Sequence, residues 1–201
     1  MKYRKIGPFR SSAIAYGSMP LSIEGHPGRE TAIKVLHDVL DAGCTHIDTA
    51  WAYYTSGGAE QYGEKLVADA LESWDGDRST LSVATKVGHF RCFNDHGEAV
   101  WDVDGSPKRL RRDAKLSAEA LRTDQIDLLY LHRPDPKVEY EEMVETLAGI
   151  LDDAVEDGRV TKNRARGLDP KKRVSIPTSI RGIRKPTRPW MVATLTAISS
   201  R

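Results

Sequence analysis

The sequence predicts an α/β fold: a partial (β/α)8 TIM barrel of about four βα units, followed by an irregular C-terminal tail. Three observations predict it. Short apolar runs alternate with helical periodicity four times between residues 13 and 157, the pattern of a parallel sheet covered by helices. Successive strands close on polar residues, Asp48, Lys86 and His132, where α/β barrels place their chemistry. The chain has 201 residues, against about 250 for a complete barrel, and the alternation stops after Gly158.

The elements follow in order. Tyr3 to Phe9 reads as a small hairpin at the base, and Ala13 to Gly17 as the first parallel strand. Pro27 and Gly28 precede a helix in which Ala32, Val35, Leu36, Val39 and Leu40 recur at i, i+3 and i+4. Gly43 stands where a helix C-terminal glycine belongs. Thr45 to Asp48 is a strand. Residues 60–73 are a helix with Leu66, Val67, Ala70 and Leu71 on one side. Leu81 to Lys86 is a strand, and residues 88–105 read as a long loop. Ser106 to Leu121 is a helix opened by Ser-Pro. Asp127 to His132 is a strand, and residues 139–157 are a fourth helix. A doubly wound sheet is the alternative, but no GxGxxG phosphate loop follows the first strand.

Charge divides the chain into two parts, 1–160 and 161–201. Residues 161–201 hold eleven Lys or Arg against Asp169, whereas residues 1–160 hold 19 basic and 28 acidic residues. The prolines and cations of the second part read as disordered tail, with Trp190 to Ile198 a short, isolated apolar stretch. Arg159 to Thr161 reads as the start of a fifth strand that goes no further. No run is long enough to cross a bilayer, and the N-terminus lacks a signal's apolar core. Cys44 and Cys92 match no disulfide or zinc spacing. These features lead us to expect a cytoplasmic protein with reduced thiols and no membrane partner.

Taken singly, Asp48 reads as a cap, Lys86 as a solvated strand end and Tyr53 as edge packing beside Trp51 and Tyr54. Together they read differently, because buried strands rarely end on Asp, Lys and His by accident. A lysine ammonium beside a phenol favours the phenolate, a carboxylate holds the ammonium, and a histidine can donate to a carbonyl. That set suits proton delivery to a developing alkoxide. His37 and His46 read as structural. His89 is a loop residue with a weaker claim on substrate. Trp101 reads first as a hydrophobic anchor and second as pocket wall.

The segment Ala42-Gly43-Cys44-Thr45-His46-Ile47-Asp48-Thr49-Ala50-Trp51-Ala52-Tyr53 resembles the first signature of the aldo-keto reductase superfamily. Ala84 to Gly88 is similar to that family's lysine strand, and Asp124 to Pro134 to its histidine strand. Gly57 to Gly63 resembles the branch of potassium-channel β-subunits and bacterial aldehyde reductases. The likeness runs from about residue 3 to 160. It implies NADPH-dependent reduction of an aldehyde or ketone to an alcohol. It also implies a catalytic set of Asp48, Tyr53, Lys86 and His132, with Gly17, Met19 and Asp48 near the nicotinamide. The expected partner is a small carbonyl substrate.

The family's later strands, with their Ser-Asn pair and nicotinamide-binding Gln, have no counterpart here. A truncated chain with impaired activity is therefore the expectation. A shifted reading frame near residues 158–162 is one expected source of the change of composition. A fragment that forms a homo-oligomer to complete a barrel is the alternative. An inactive remnant, and a basic tail that binds nucleic acid or other anions, are the remaining readings. The nucleic-acid reading ranks below a solvated tail, since Trp190 is the tail's one aromatic residue.

Overall fold

The computed structural model describes residues 1–6, 9–156 and 195–196. Strands β1 (Tyr3–Ile6) and β2 (Phe9–Ser12) form an antiparallel hairpin, longer than the sequence indicates. Four βα units follow: β3 (Tyr16–Gly17), α1 (Arg29–Asp41), β4 (His46–Asp48), α2 (Tyr62–Glu72), β5 (Ser82–Val87), and then α3 (Pro107–Ala120), β8 (Leu128–Leu131) and α4 (Tyr140–Glu156). Between β5 and α3 lie two further strands, β6 (His89–Phe93) and β7 (Ala99–Val103). The main sheet runs β3-β4-β5-β8, all parallel. Its far edge carries β9 (Leu195–Thr196), antiparallel to β8 at Leu128 and Leu129.

Two expectations need correction. The first parallel strand is Tyr16–Gly17 rather than Ala13 to Gly17. The stretch 88–105 is an antiparallel hairpin, with His89 paired to Val103 and Phe93 to Ala99. Its strands alternate about the turn at Asn94, whose side chain accepts from the His96 and Glu98 N–H groups. That side-chain closure replaces the more readable Asn-Gly turn. Within the stretch 190–198, Leu195 and Thr196 form β9, and the rest of that stretch lies outside the described residues. The expected fifth strand at 159–161 and the disorder of the rest of the tail lie outside the described residues.

Local chemistry explains the helices. In α1, Ala32, Leu36 and Leu40 recur every four residues and are buried. Gly43 then adopts φ +88, a left-handed turn that lets its N–H bond Leu40 O and the Cys44 N–H bond Val39 O. Ser106 caps α3 by accepting from the Arg109 N–H at 3.3 Å, with Pro107 at the first helical position.

Alternation along β5 sorts its two faces. Val83 packs with Ile47, Leu36, Leu66 and Val67 under α1 and α2. Val87 packs with Leu110, Leu129, Met143 and Leu147 under α3 and α4. Each such aliphatic side chain contributes about 1.5–3 kcal/mol by leaving water. Ala84 and Lys86 consequently project from the opposite face. The same parity sends Ile47 to the helices and His46 and Asp48 to the other side. His46 shares a 2.8 Å hydrogen bond with Ser82, and His37 shares one of 2.9 Å with Ala70 O, so both histidines are structural.

Behind Lys86, in the helix–sheet layer, Glu64 of α2 is 0% exposed. Thr85 Oγ1 donates to its Oε1 at 2.5 Å, while Oε2 finds no partner. Burial raises its pKa to about 7, against the lowering effect of neighbouring hydroxyl and amide groups. An ordinary glutamate titrates near 4.3, so the folded chain binds the extra proton between these values. The stabilising contribution is complete below about pH 4.5 and is lost as pH rises through 7. Glu64→Gln should therefore gain stability relative to wild type on going from pH 5 to pH 8, by up to about 3 kcal/mol. Urea unfolding at the two pH values measures it; parallel pH dependence in both proteins would contradict the assignment.

Candidate active site

Four elements deliver the site. Asp48 closes β4, Lys86 is the penultimate residue of β5, and His132 stands one residue beyond β8. Tyr53 lies in the turn after β4, whose backbone is fixed from both sides. The Trp51 N–H bonds Lys86 O, and the Gly63 N–H bonds Tyr53 O at 2.8 Å. A Cβ on Gly63 would lie 2.9 Å from both Tyr53 Cβ and Tyr53 O. Helix α2 thus approaches the tyrosine as closely as a glycine allows.

The structure brings all four predicted residues together. Lys86 Nζ donates to Asp48 Oδ1, to Thr49 O at 2.8 Å and to Tyr53 Oη at 3.1 Å. An ammonium has three N–H donors, and each is used. Nζ also lies 4.9 Å from the Tyr53 ring centroid. The His132 ring meets the Tyr53 ring edge-on, at 5.8 Å and 82°. Asp48 sits in register with Gly17 of β3, and its carbonyl accepts from the Ser18 N–H.

A cleft of about 540 Å³ opens over this cluster, lined by Tyr53 and His132 together with Met19, Ile23, His89 and Trp101, and rimmed by Arg91, Asp102, Val103 and Arg133. Of the residues predicted near a nicotinamide, Met19 lines the cleft. Gly17 and Asp48 stand at the sheet end behind it. Sequence reasoning underrated two residues and missed two more. Trp101, 37% exposed, is cleft wall rather than buried anchor. His89 stacks on it at 4.9 Å and 19°, and meets His132 edge-on at 4.5 Å. Arg91 lies 4.1 Å over the Trp101 ring, pairs with Glu24 and donates to Ser56 Oγ. Arg133 bore only its position beside His132.

Burial holds both imidazoles neutral. It takes His132 down to about 3, with His89, Lys86 and Arg133 acting in the same sense. It takes His89 down to about 4, where Arg133 adds to the effect and Asp102 opposes it. A neutral imidazole carries a single N–H donor. Among the described residues no group of His, Cys, Asp and Glu is arranged to hold a metal. No described helix is long and apolar enough to cross a membrane.

The sequence model of the aldo/keto reductase family matches residues 13–163. The chain belongs to the aldo/keto reductase family. A 6-dehydroglucose reductase of Novosphingobium aromaticivorans is 34% identical over 159 residues, which are 78% of this chain and 47% of that protein. The aldo-keto reductase str7 of Strobilurus tenacellus is 32% identical over 164 residues, 78% of this chain and 43% of its own. Among solved structures, a glycerol dehydrogenase from Gluconobacter oxydans superposes with a TM-score of 0.64 at 27% identity, covering 76% of this chain and 45% of that one. A holo-form aldo-keto reductase from Bacillus halodurans gives 0.60 at 27%, with 80% and 49% covered. The chain spans less than half the length of these relatives. Its sheet is part of the family's barrel, and residues 164–201 lie outside the family match.

The neutral imidazoles give this reductase-family site a testable signature. Histidine titrates near 6.5 when unfolded, so acid below that value protonates the unfolded chain first and costs stability. In the folded chain the His89 and His132 ring resonances should stay fixed from pH 8 down to pH 5 in NMR spectra. Movement with a midpoint near 6.5 would contradict the neutral pair.

Proposed function

We propose that this chain carries the proton-donating half of an NADPH-dependent carbonyl reductase acting on an aldehyde or ketone. The observation that carries the reading is the placement of all three Lys86 N–H donors, one of them on Tyr53 Oη. With one lone pair of Oη engaged by Lys86, the phenol O–H is free to turn towards the cleft that Tyr53 lines.

Tyr53 then donates its proton to the carbonyl oxygen as that oxygen becomes an alkoxide. Lys86 stabilises the phenolate left behind, and Asp48 offsets the ammonium's charge. His132 offers its single N–H to the same oxygen and orients the carbonyl. Being neutral, it leaves proton donation to Tyr53. Water reaching the open cleft restores the phenol proton. NADPH, when bound, supplies the hydride.

The described residues fit the nicotinamide end of that cofactor. A Cβ on Gly17 would meet nothing within 4 Å, and Met19 is 40% exposed at the cleft wall. Met19 would contact the ring at the cleft wall, with Gly17 and Asp48 at the sheet end behind it. Cys44 and Cys92 are free thiols, which suits the reducing conditions of a cytoplasm.

Tyr53→Phe keeps the ring and removes the acid. It should lower NADPH-dependent aldehyde reduction about 10²-fold or more, with far-ultraviolet circular dichroism unchanged. NADPH absorbance follows the reaction. A wild-type chain that reduces no aldehyde, or a Tyr53→Phe variant as fast as wild type, would overturn the proposal.

A further inference from the structure

The described arginines divide into those with a carboxylate and those without. Arg29, Arg78, Arg109 and Arg122 each pair with an Asp, and Arg91 pairs with Glu24. Arg91 is spent further on Ser56 Oγ and on the Trp101 ring. Arg4, Arg10 and Arg133 have no carboxylate within ion-pair distance among the described residues, and of these three Arg133 alone lines the cleft, exposed beside His132. The acid nearest in function is Asp102, the single acid among the lining residues. Its Oδ1 accepts from the Val103 N–H at 2.8 Å. At His89 the influence of Arg133 exceeds the opposing influence of Asp102, and Arg133 acts on His132 in the same sense. Arg133 thus acts on both imidazoles in the sense of a nearby positive charge. The lining also includes the apolar side chains of Met19, Ile23 and Trp101.

We propose that the carbonyl substrate bears an anionic group, a carboxylate or phosphate on an apolar body, and that Arg133 receives it at the mouth of the cleft. This rests on the reading of the site as a carbonyl reductase. A guanidinium offers a planar fork of N–H donors that matches either anion in bidentate geometry. Arg133 adjoins His132 just beyond the end of β8, so one short segment would set both the reacting group and the charged end of the substrate. The neutral imidazoles beneath do not compete for the anion. Docking the anion leaves the Tyr53 proton and the hydride transfer as already described.

The test compares 4-carboxybenzaldehyde with 4-methylbenzaldehyde, which share the ring and the aldehyde. Ligand-observed NMR titrations measure both against the full chain and against Arg133→Met, at low and high salt. Wild type should bind the carboxylated aldehyde about tenfold more tightly or better, and salt should weaken that advantage. Arg133→Met should abolish the advantage, leave the methyl compound's affinity unchanged and leave NADPH affinity unchanged. Equal or absent binding of the two aldehydes by wild type would overturn the proposal. So would a preference that persists in Arg133→Met, which would place the anion at Tyr53 and His132. A parallel loss of NADPH affinity would overturn it too, by assigning Arg133 to a cofactor phosphate. Turnover judges the reductase reading separately. Reduction of both aldehydes without preference defeats Arg133 alone, whereas preferential binding without reduction defeats the reductase reading alone.

Discussion

Lys86 Nζ has three protons to place, and the fold supplies an acceptor for each: Asp48 Oδ1 at the end of the neighbouring strand, Thr49 O one residue beyond, and Tyr53 Oη. An ammonium turned towards the inside of a sheet is costly unless its donors are met. Meeting them requires β4 and β5 to run parallel in register, with Asp48 opposite Ala84. The turn after Asp48 must also return Tyr53 over the lysine. Those requirements account for the Trp51 N–H bond to Lys86 O and the Gly63 N–H bond to Tyr53 O. The charge thus orders the strand ends, and the strand ends order the phenol.

The helix layer supports this from behind. Thr85, next to Lys86 on the opposite face, holds Glu64 of α2, while Gly63 of the same helix presses on Tyr53. One helix start therefore touches both the strand of the lysine and the turn of the tyrosine. A movement of α2 would disturb the Lys86–Tyr53 distance through two routes. The burial of the Glu64 carboxyl is a cost the fold carries at this junction, eased by the proton that burial retains.

Much of this was legible in the sequence, for physical reasons that differ by element. The four βα units are readable because each helix repeats its apolar residues at helical spacing, and because Gly43 and Ser106-Pro107 mark helix boundaries in the ways their backbones require. The tetrad is readable because Asp48, Lys86 and His132 interrupt apolar strands at their ends. The β6–β7 hairpin was not, since its turn closes through the Asn94 side chain and its strands mix charged with aromatic residues. With the hairpin hidden, His89 and Trp101 had no place over the cleft. Arg133 was silent for another reason: an exposed arginine is ordinary until its place at the cleft without a carboxylate partner among the described residues is seen in space. Register across the sheet, set by long-range pairing, has no short-range signal.

The His89 and His132 imidazoles, the Tyr53 phenol and the Lys86 ammonium tied to Asp48 meet at one cleft, and the proposed reaction takes its proton from Tyr53. The direct test is transfer of label from NADPH deuterated at the nicotinamide C4 to an aldehyde incubated with the purified chain, read by mass spectrometry of the alcohol. That measurement detects a few turnovers. Deuterium at the carbinol carbon, above the level in a heat-denatured control, is the result this account predicts. Alcohol without label, or no alcohol above that control, would contradict it.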